Sequence, residues 1–516
     1  MQNRRDQVQA HMFVMGRLTS GLLRSDLDAP ESPVGRTNRG LAIGVIIALL
    51  VAAGAFIFGL ISPSTSNSWR VEGTLIVDED TGARYFYDGG ELRPVLNYTS
   101  AKLLAGSSGS SLVSKTVGTE ALRDTPRGTA VGIAGAPDVL PAPDAAVGAQ
   151  PWLVCSAPAD DEATEDTVLS VASGAPQRPL PDSNALLVAH PSGGLHLVWR
   201  GKRLRIDTKS SALEGLGYGS ARPRKVSAAF IASLPAGPDL APSDVTGLGQ
   251  EGPSLGELDT RIGQVFRTSV PGAERSQYYL LRKEGLTLLT NTQAALQLSA
   301  PETAEKAYDG SPASARDIEA GVLKGHLAPG GDGHSAFFAE GLPESPPALA
   351  EVDDQQGVCS AVTPGSASGA EVRVGVVLVA QNAMGPLAKR PAGGLADACL
   401  AVKGVVVEPG GGALVRASSA VGGDAGGSRY LVTDTGVKYR LTSDDDVSAL
   451  GYSADQARTL PSLLLSMLPT GPDLGGAAAA SAVVGGDSRQ PPPGTGCGNG
   501  AQKPRTTVAE TASAID

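Results

Sequence analysis

The chain has 516 residues, 41% hydrophobic and 18% charged, which excludes a disordered chain and allows more than one buried core. Its 66 glycines and 37 prolines, with 4% aromatic residues, predict many short strands and turns around aliphatic interiors. The formal net charge of -11 argues against the basic face that nucleic-acid binding requires, so we expect no nucleic-acid partner.

The N-terminal segment, residues 1–40, is predicted to contain an amphipathic helix. One face of that helix carries Val8, Met12, Met15, Thr19 and Leu22. Such a face fits either a membrane surface or a cytoplasmic partner protein.

An uncharged apolar run from Leu41 to Ile61 follows. At about 1.5 Å per helical residue it spans roughly the 30 Å core of a bilayer, so we predict one transmembrane helix. Six arginines precede the run: Arg4, Arg5, Arg17, Arg24, Arg36 and Arg39. The positive-inside rule then places the N-terminus in the cytoplasm and the bulk of the chain outside the inner (plasma) membrane. A cleaved signal peptide is the alternative, but the preceding segment is too long and no A-x-A site follows the run.

A seven-residue phrase occurs twice, as LPAGPDL at 234–240 and as LPTGPDL at 468–474. The tripeptide LGY precedes both copies by the same interval, at 216–218 and 450–452. The residues that define the phrase are Pro235, Gly237, Pro238 and Asp239 in the first copy and Pro469, Gly471, Pro472 and Asp473 in the second.

Four segments are each typical of a strand, a glycine-containing turn and a second strand: 73–95, 185–206, 277–291 and 429–443. A helix is predicted after each segment, followed by a short stretch in which proline or glycine ends the helix. We therefore predict four hairpin-helix repeats that pack on one another or on a shared centre, because one small unit cannot bury its apolar face alone.

The cysteines suggest how the repeats are arranged. Leu75 and Tyr279, in the first and third repeats, are 204 residues apart, and so are Cys155 and Cys359. Equivalent residues of a duplicated chain meet only near its pseudo-two-fold axis, and an exported domain permits disulfides. We infer a Cys155–Cys359 disulfide; two free buried thiols are the alternative.

Four other apolar stretches, 167–172, 262–270, 371–381 and 402–417, are predicted to form a central sheet. Cys399 lies in this region and is a candidate to pair with Cys497. That second disulfide would tie the Gly/Pro/Ala-rich tail, which has the composition of a disordered segment, to the body.

The predicted fold is mixed α+β: one transmembrane helix and an extracytoplasmic domain of four hairpin-helix repeats in pseudo-two-fold arrangement around a central β-domain. The predicted segments are a cytoplasmic N-terminal segment (1–40), the transmembrane helix (41–61), repeats 1 to 4 (62–140, 185–241, 277–335 and 429–474), three parts of the central domain (141–184, 242–276 and 336–428) and a flexible tail (475–516).

Several motifs together resemble one known family. They are residues 7–26, the apolar run, RPVLNYTSAKLLAG at 93–106, GTAVGIAGAPDVLP at 128–141, WLVC at 152–155, LVWRGKRLRID at 197–207 and the block from ALGY to LPTGPDL. In this order they resemble the EccB family of the actinobacterial type VII (ESX) secretion system over nearly the whole chain.

The resemblance implies a structural membrane component with a large extracytoplasmic domain, four repeats around a central β-domain and a disulfide matching Cys155 to Cys359. The implied partners are the EccC ATPase, EccD, EccE, the mycosin protease and further copies of the chain. The family's repeats are similar to phage-lysin wall-binding modules, which implies a possible contact with peptidoglycan. For the N-terminal helix the resemblance favours a protein partner.

Within RPVLNYTSAKLLAG, Asn97, Thr99 and Ser100 lie where a strand gives way to a helix. We expect their side-chain oxygens to cap the helix rather than to bind a ligand.

Enzymatic alternatives find little support. The D-T-G triplets at 80–82 and 434–436 resemble aspartic-protease triplets, but each is explained as a hairpin turn. GDAGG at 423–427 has alanine where a serine protease has its nucleophile. ATP hydrolysis, attributed to the family, is kept as an alternative although no G-x-x-x-x-G-K-[ST] occurs, and a stand-alone wall-binding protein is a third hypothesis. We expect no catalytic residue, no cofactor and no metal.

Overall fold

The computed structural model describes residues 4–24, 33–61, 67–148, 150–158, 165–268, 276–329, 341–366, 371–389, 395–418 and 428–481. The chain divides into two compact units. The first comprises residues 1–92 and 113–127, and the second 93–112 and 128–516.

The helices are α1 (Arg4–Arg24), α2 (Pro33–Ile61), α3 (Tyr98–Ser107), α4 (Thr119–Leu122), α5 (Pro143–Ala146), α6 (Ala212–Gly215), α7 (Ala228–Ser233), α8 (Asn291–Ser299), α9 (Pro301–Ala307), α10 (Ala320–Leu323), α11 (Asp444–Ala449), α12 (Ser462–Ser466) and α13 (Gly476–Ala480).

The strands are β1 (Thr74–Asp78), β2 (Arg84–Asp88), β3 (Glu91–Pro94), β4 (Val113–Val117), β5 (Trp152–Pro158), β6 (Glu165–Ser170), β7 (Arg178–Pro179), β8 (Asn184–Ala189), β9 (Leu195–Trp199), β10 (Lys202–Ile206), β11 (Arg224–Lys225), β12 (Val265–Thr268), β13 (Gln277–Arg282), β14 (Gly285–Leu289), β15 (Arg316–Asp317), β16 (Ala348–Leu349), β17 (Gln356–Thr363), β18 (Arg373–Ala380), β19 (Gly404–Val406), β20 (Gly412–Ser418), β21 (Arg429–Thr433), β22 (Lys438–Leu441) and β23 (Arg458–Pro461).

The first unit contains α1, α2 and a sheet in the order β3-β2-β1-β4, with β3 ending in the second unit. Residues 37–57 of α2 are long and apolar enough to cross a membrane, and none of that stretch is buried. The sheet covers a small core whose buried members are Trp69, Ile76, Leu92, Val117 and Leu122.

The second unit has a six-stranded sheet at its centre, in the order β19-β6-β5-β17-β18-β7. The middle pair, β5 and β17, is antiparallel. Apolar clusters cover both faces, one around Trp152 and Val154 and the other around Leu153 and Cys155. Strands buried on both sides are uniformly apolar, which explains runs such as GVVLV in β18.

Three further sheets of the second unit contain the same arrangement of four strands as the first unit's sheet: β10-β9-β8-β11, β14-β13-β12-β15 and β22-β21-β20-β23. In the first of these three sheets, β16 also pairs with β8 as a fifth strand. In each of these four sheets, the strand that comes first in the sequence (β1, β8, β12 or β20) pairs antiparallel with the strand that follows it in the sequence. The same strand pairs parallel with the last strand of the group (β4, β11, β15 or β23). The predicted hairpins at 277–291 and 429–443 are the second and third strands of a three-stranded meander, whereas 73–95 and 185–206 each contain all three strands.

The prediction for two central strands was wrong. Residues 262–270 contain β12, which pairs with β13, and the second half of 402–417 is β20, which pairs with β21. Both strands join the sheets of the predicted third and fourth repeats. Apolar alternation indicates that a segment is a strand but not which sheet it joins. The stretches 167–172 and 371–381, with β19, do lie in the six-stranded sheet.

Helices of the second unit pack against one another at two places. The helix α3 packs against α11 and α13, and α6 packs against α8. The segment 62–140, predicted as one repeat, is consequently divided between the two units, because α3 buries its apolar face in the second.

The prediction that residues 475–516 form a flexible tail does not hold for the start of that segment. The helix α13 lies within it and buries Gly476 and Ala479. Cys497 lies outside the described residues, so its pairing with Cys399 stays a prediction, and GDAGG also lies outside them.

Candidate functional site

A disulfide joins Cys155 to Cys359 at the middle of the six-stranded sheet, with Sγ–Sγ 2.07 Å and Cα–Cα 3.9 Å. The two cysteines are directly opposite each other on β5 and β17, and both are buried. The bridge closes 204 residues of sequence between two neighbouring strands.

The repeated LPxGPDL phrase forms a return segment that runs alongside the last strand of its meander. Beside β10, Arg203 N donates to Pro235 O at 2.9 Å, Gly237 N to Arg203 O at 2.8 Å, and Leu240 N to Arg205 O at 2.7 Å. Proline lacks a backbone N–H. The two prolines of the phrase stand at positions whose N–H groups are not needed, because the donors to β10 are Gly237 N and Leu240 N.

Beside β22 the same bonds recur. Lys438 N donates to Pro469 O at 3.0 Å, Gly471 N to Lys438 O at 2.9 Å, and Leu474 N to Arg440 O at 2.8 Å. The phrase is therefore a backbone-pairing motif in both sheets.

The aspartate of each phrase binds an arginine of the neighbouring strand. Arg205 Nη2 lies 2.6 Å from Asp239 Oδ2, and Arg440 forms two hydrogen bonds with Asp473. These pairs raise the pKa of Arg205 and of Arg440. Pro238 and Pro472 stand between the paired glycine and the aspartate.

Asn97 caps α3, because its Oδ1 accepts from Ser100 N at 2.9 Å. Its Nδ2 donates to Ile133 O at 2.8 Å, and Ser100 Oγ accepts from Ile133 N at 2.9 Å. Thr99 Oγ1 donates to Pro137 O at 2.5 Å. Asn97 alone fits the capping prediction; Thr99 and Ser100 hold the return segment at 128–141 instead.

The LGY tripeptides end in buried tyrosines that reach the chain ahead of the central strands. Tyr218 Oη donates to Pro347 O and Tyr452 Oη to Pro141 O, both at 2.7 Å. Burial raises the pKa of Tyr218 to about 12 and also raises that of Tyr452. Because each LGY tripeptide precedes its LPxGPDL phrase by the same interval, the sequence indicated that the two tyrosines are equivalent. It did not indicate that they donate to proline carbonyls.

Sequence reasoning missed the close helix contacts. A Cβ added at Gly106 of α3 would lie 2.1 Å from Ala449 Cβ at the end of α11. A Cβ added at Gly215 of α6 would lie 2.4 Å from Ser299 Cβ at the end of α8. Each of these two contacts requires one glycine. The only sign of such a contact in the sequence is a small residue at the end of each helix.

Two buried charges of the fourth meander were also missed. Lys438 is 4% exposed, its Nζ donates to Leu465 O, and burial lowers its pKa to about 8. Burial alone would raise the pKa of Asp446, but hydrogen bonds from Ser443, Thr442 and Gly476 lower it. Both groups are structural because their partners are backbone or neighbouring hydroxyls.

The D-T-G triplets lie in turns. Asp80 Oδ2 accepts from Thr119 N at 3.2 Å in the first unit, and Asp434 Oδ2 accepts from Gly410 N at 2.9 Å in the second. Within the described ranges, no cluster of three or more His, Cys, Asp or Glu has the arrangement of a metal site.

The helix α1 exposes the predicted apolar face. Val8 is 55%, Met12 65%, Met15 53% and Leu22 80% exposed. Phe13, Val14 and Leu18 are exposed as well, so the apolar surface is broader than the predicted stripe.

The chain was compared with known proteins. The family model described as "Type VII secretion system ESX-1, transport TM domain B" matches residues 2–485. The "ESX-3 secretion system ATPase EccB3" of Mycolicibacterium smegmatis is 30% identical over 487 residues, 91% of this chain and 89% of that protein. Its namesake in Mycobacterium tuberculosis is 30% identical over 309 residues, 57% of this chain and 55% of that protein.

Solved structures share the fold. An EccB3 dimer from the ESX-3 core complex matches with a TM-score of 0.60 at 28% identity, covering 78% of this chain and 99% of that chain. A chain of an intact ESX-5 inner membrane complex matches with a TM-score of 0.62 at 23% identity, covering 93% and 95%. This chain therefore belongs to the EccB family and is a structural membrane component of an ESX type VII secretion system.

Proposed function

We propose that the chain anchors and assembles the extracytoplasmic part of the secretion machinery, with its N-terminus in the cytoplasm. One observation carries the orientation: the apolar stretch 37–57 separates an arginine-rich segment from a body that contains the Cys155–Cys359 disulfide. Arginines favour the cytoplasmic side, and structural disulfides persist outside the cytoplasm.

Labelling with a membrane-impermeant maleimide tests this orientation in spheroplasts. Cysteine is introduced at exposed positions on either side of α2, as Gln7→Cys and as Lys209→Cys. We expect Lys209→Cys to react in intact spheroplasts and Gln7→Cys only after permeabilisation. The reverse pattern would refute the orientation.

We also propose that the four similar sheets are copies of one repeat, and that equivalent elements within the second unit are related in pairs by a pseudo-two-fold axis at the disulfide. Cys155 and Cys359 face each other in register, as two-fold equivalents do. The contact of α3 with α11 and that of α6 with α8 exchange under the same operation, as do the two tyrosine bonds to proline carbonyls.

The partners we propose are further copies of the chain and other ESX components, namely EccC, EccD, EccE and the mycosin protease. The solved relatives come from an EccB3 dimer and from ESX inner membrane complexes, as their descriptions state. Purification of the tagged full chain from its native membrane should recover a large complex containing an ATPase. Recovery as a monomer that binds purified peptidoglycan would favour the stand-alone wall-binding alternative, whereas peptidoglycan contact within the complex is compatible with our proposal.

ATP hydrolysis is the second candidate, because the EccB3 relatives carry ATPase in their names. The sequence contains no phosphate-binding loop of the G-x-x-x-x-G-K-[ST] type, so we propose a non-enzymatic role. ATP turnover by the purified chain should fall to background as contaminating ATPases are removed. Turnover that stays proportional to chain concentration through successive columns would contradict this.

A further inference from the structure

A surface cavity of about 410 Å³ lies in the second unit, beside the first LPxGPDL segment. It is lined by residues of the turn between β8 and β9, of β9, β10 and α7, and of the return segment. Its lining residues are His190, Ser192, Gly193, His196, Arg203, Arg205, Ile231, Ala236, Gly237 and Asp239.

The cavity lining is rich in positive charge. Arg203 and Arg205 face a single acid among the lining residues, Asp239, which is paired with Arg205. With both imidazoles neutral, the side chains that line the cavity carry one net positive charge.

The two histidines add hydrogen-bond donors. His190 Nδ1 accepts from Ser192 N at 3.1 Å, so in the neutral ring the proton resides on Nε2. His196 Nδ1 is buried and has no hydrogen-bond partner among the described residues, which leaves Nε2 as its useful nitrogen. The two rings lie 6.2 Å apart, centroid to centroid, within reach of one ligand.

Burial, with His190 and the two arginines nearby, lowers the pKa of His196. The neutral ring has one N–H donor and one acceptor nitrogen, and the tautomer protonated at Nε2 would donate to a ligand. Guanidinium groups and Nε2–H groups donate and do not accept, so a matching ligand group consists of acceptors and carries negative charge.

We propose that this cavity binds a small organic anion through its carboxylate or phosphate oxygens. The volume lies in the range of ligand pockets and leaves room beyond the charged group itself. His196 holds the oxyanion together with the guanidinium N–H groups of Arg203 and Arg205 that do not bind Ile231 O or Asp239. Ser192 N donates to His190 Nδ1 and so leaves the Nε2–H of His190 to donate to the anion.

The fourth meander provides a matched comparison within the same chain. It has the same arginine–aspartate pair, Arg440 with Asp473, on its return segment. The residue opposite Arg440 is Tyr430, whereas the residue opposite Arg205 is His196.

Isothermal titration of the full chain in detergent tests the proposal, with inorganic phosphate and acetate as separate probes. We expect saturable binding of at least one probe, with a tightly bound phosphate indicating a phosphoryl ligand and a tightly bound acetate a carboxylic acid. Arg205→Gln and His196→Tyr should each weaken that binding by about tenfold or more, because the first removes the charged guanidinium and the second the imidazole N–H at its position beside the anion.

Arg440→Gln is the control, since it removes the same ion pair from the other return segment and should leave binding unchanged. Circular dichroism melts establish that all variants fold. Absence of saturable binding by either probe, or equal weakening in Arg440→Gln, would overturn the proposal.

Discussion

Glycine in the LPxGPDL phrase is required by what lies across from it, and the two copies differ in this respect. A Cβ added at Gly471 would lie 2.2 Å from the ring of Tyr439, which is 2% exposed. A Cβ added at Gly237 would lie 3.2 Å from Leu204 Cγ. A buried aromatic ring has little freedom to move, whereas an aliphatic side chain adjusts by tenths of an ångström.

We therefore expect Gly471→Ala to lower the free energy of unfolding by about 1–3 kcal/mol, the usual effect of overpacking. Gly237→Ala should cost less and serves as the matched control. Urea denaturation of both variants measures the difference. Equal losses would mean that Tyr439 yields as easily as Leu204.

Asp446 stabilises the chain only when it is ionised. Its carboxylate accepts from Ser443 Oγ at 2.7 Å, Thr442 Oγ1 at 2.5 Å and Gly476 N at 2.8 Å, so α11 holds the start of α13. These hydrogen bonds lower its pKa below the value of the unfolded chain. The stabilisation is present above the unfolded pKa and is lost as the pH falls through the folded pKa.

We expect Asp446→Asn to cost about 1–3 kcal/mol at pH 7, because three donors, among them the buried Gly476 N, lose a charged acceptor. The cost should shrink as the pH falls below about 4, the unfolded pKa of aspartate. Thermal melts across pH measure it, with Asp445→Asn, an exposed neighbour, as the control. A cost that does not change with pH would show that the charge is unimportant.

At the scale of elements, the α3–α11 and α6–α8 contacts each place a glycine of one helix against a small residue of the other. Gly106 of α3 meets Ala449 of α11, whereas Ser299 of α8 meets Gly215 of α6. In each pair one helix lacks a Cβ, so the two backbones approach closely. The glycine could stand on either helix of a pair, because the contact limits only the total volume of the two facing side chains.

Exchanging the glycine within one pair tests this. Gly106→Ala alone should cost about 1–3 kcal/mol through the clash with Ala449, and Ala449→Gly alone about 1 kcal/mol through helix propensity. The double variant should lose less than the sum, and denaturation of all four proteins in a double-mutant cycle gives the coupling energy. Additive losses would contradict a direct contact.

At the scale of the whole chain, the disulfide restricts the unfolded state of the second unit more than any local contact does. It closes a loop between cysteines 204 residues apart. In the loop-entropy description, a longer closed loop means greater stabilisation of the folded state.

Replacing both cysteines, Cys155→Ala with Cys359→Ala, should lower the free energy of unfolding by about 2–5 kcal/mol. Each single variant breaks the same bridge, so the single and double variants should have similar losses. Differential scanning calorimetry of the detergent-solubilised chain measures them. If the double variant were as stable as the wild type, the disulfide would not stabilise the fold.

Much of the candidate site was accessible from sequence because it depends on spacing. The spacing of the cysteines predicted the Cys155–Cys359 bridge, although Leu75 and Tyr279, from which that spacing was counted, lie in the first strand of one meander and the second strand of another. The repeated phrase marked the return segments. The assignment of β12 and β20 to sheets failed, because a strand is recognised by its own alternation whereas its neighbours are set by distant residues.

The sequence by itself determined the membrane helix, the four similar strand patterns and the family, since apolar length, alternation and recurring phrases are properties of contiguous residues. Only the tertiary structure decided which strands share a sheet, which helix ends meet at a glycine and that His196 and Arg205 line one cavity. These features depend on side chains brought together by folding, and their packing is a property of surfaces in contact that no local pattern of residues records.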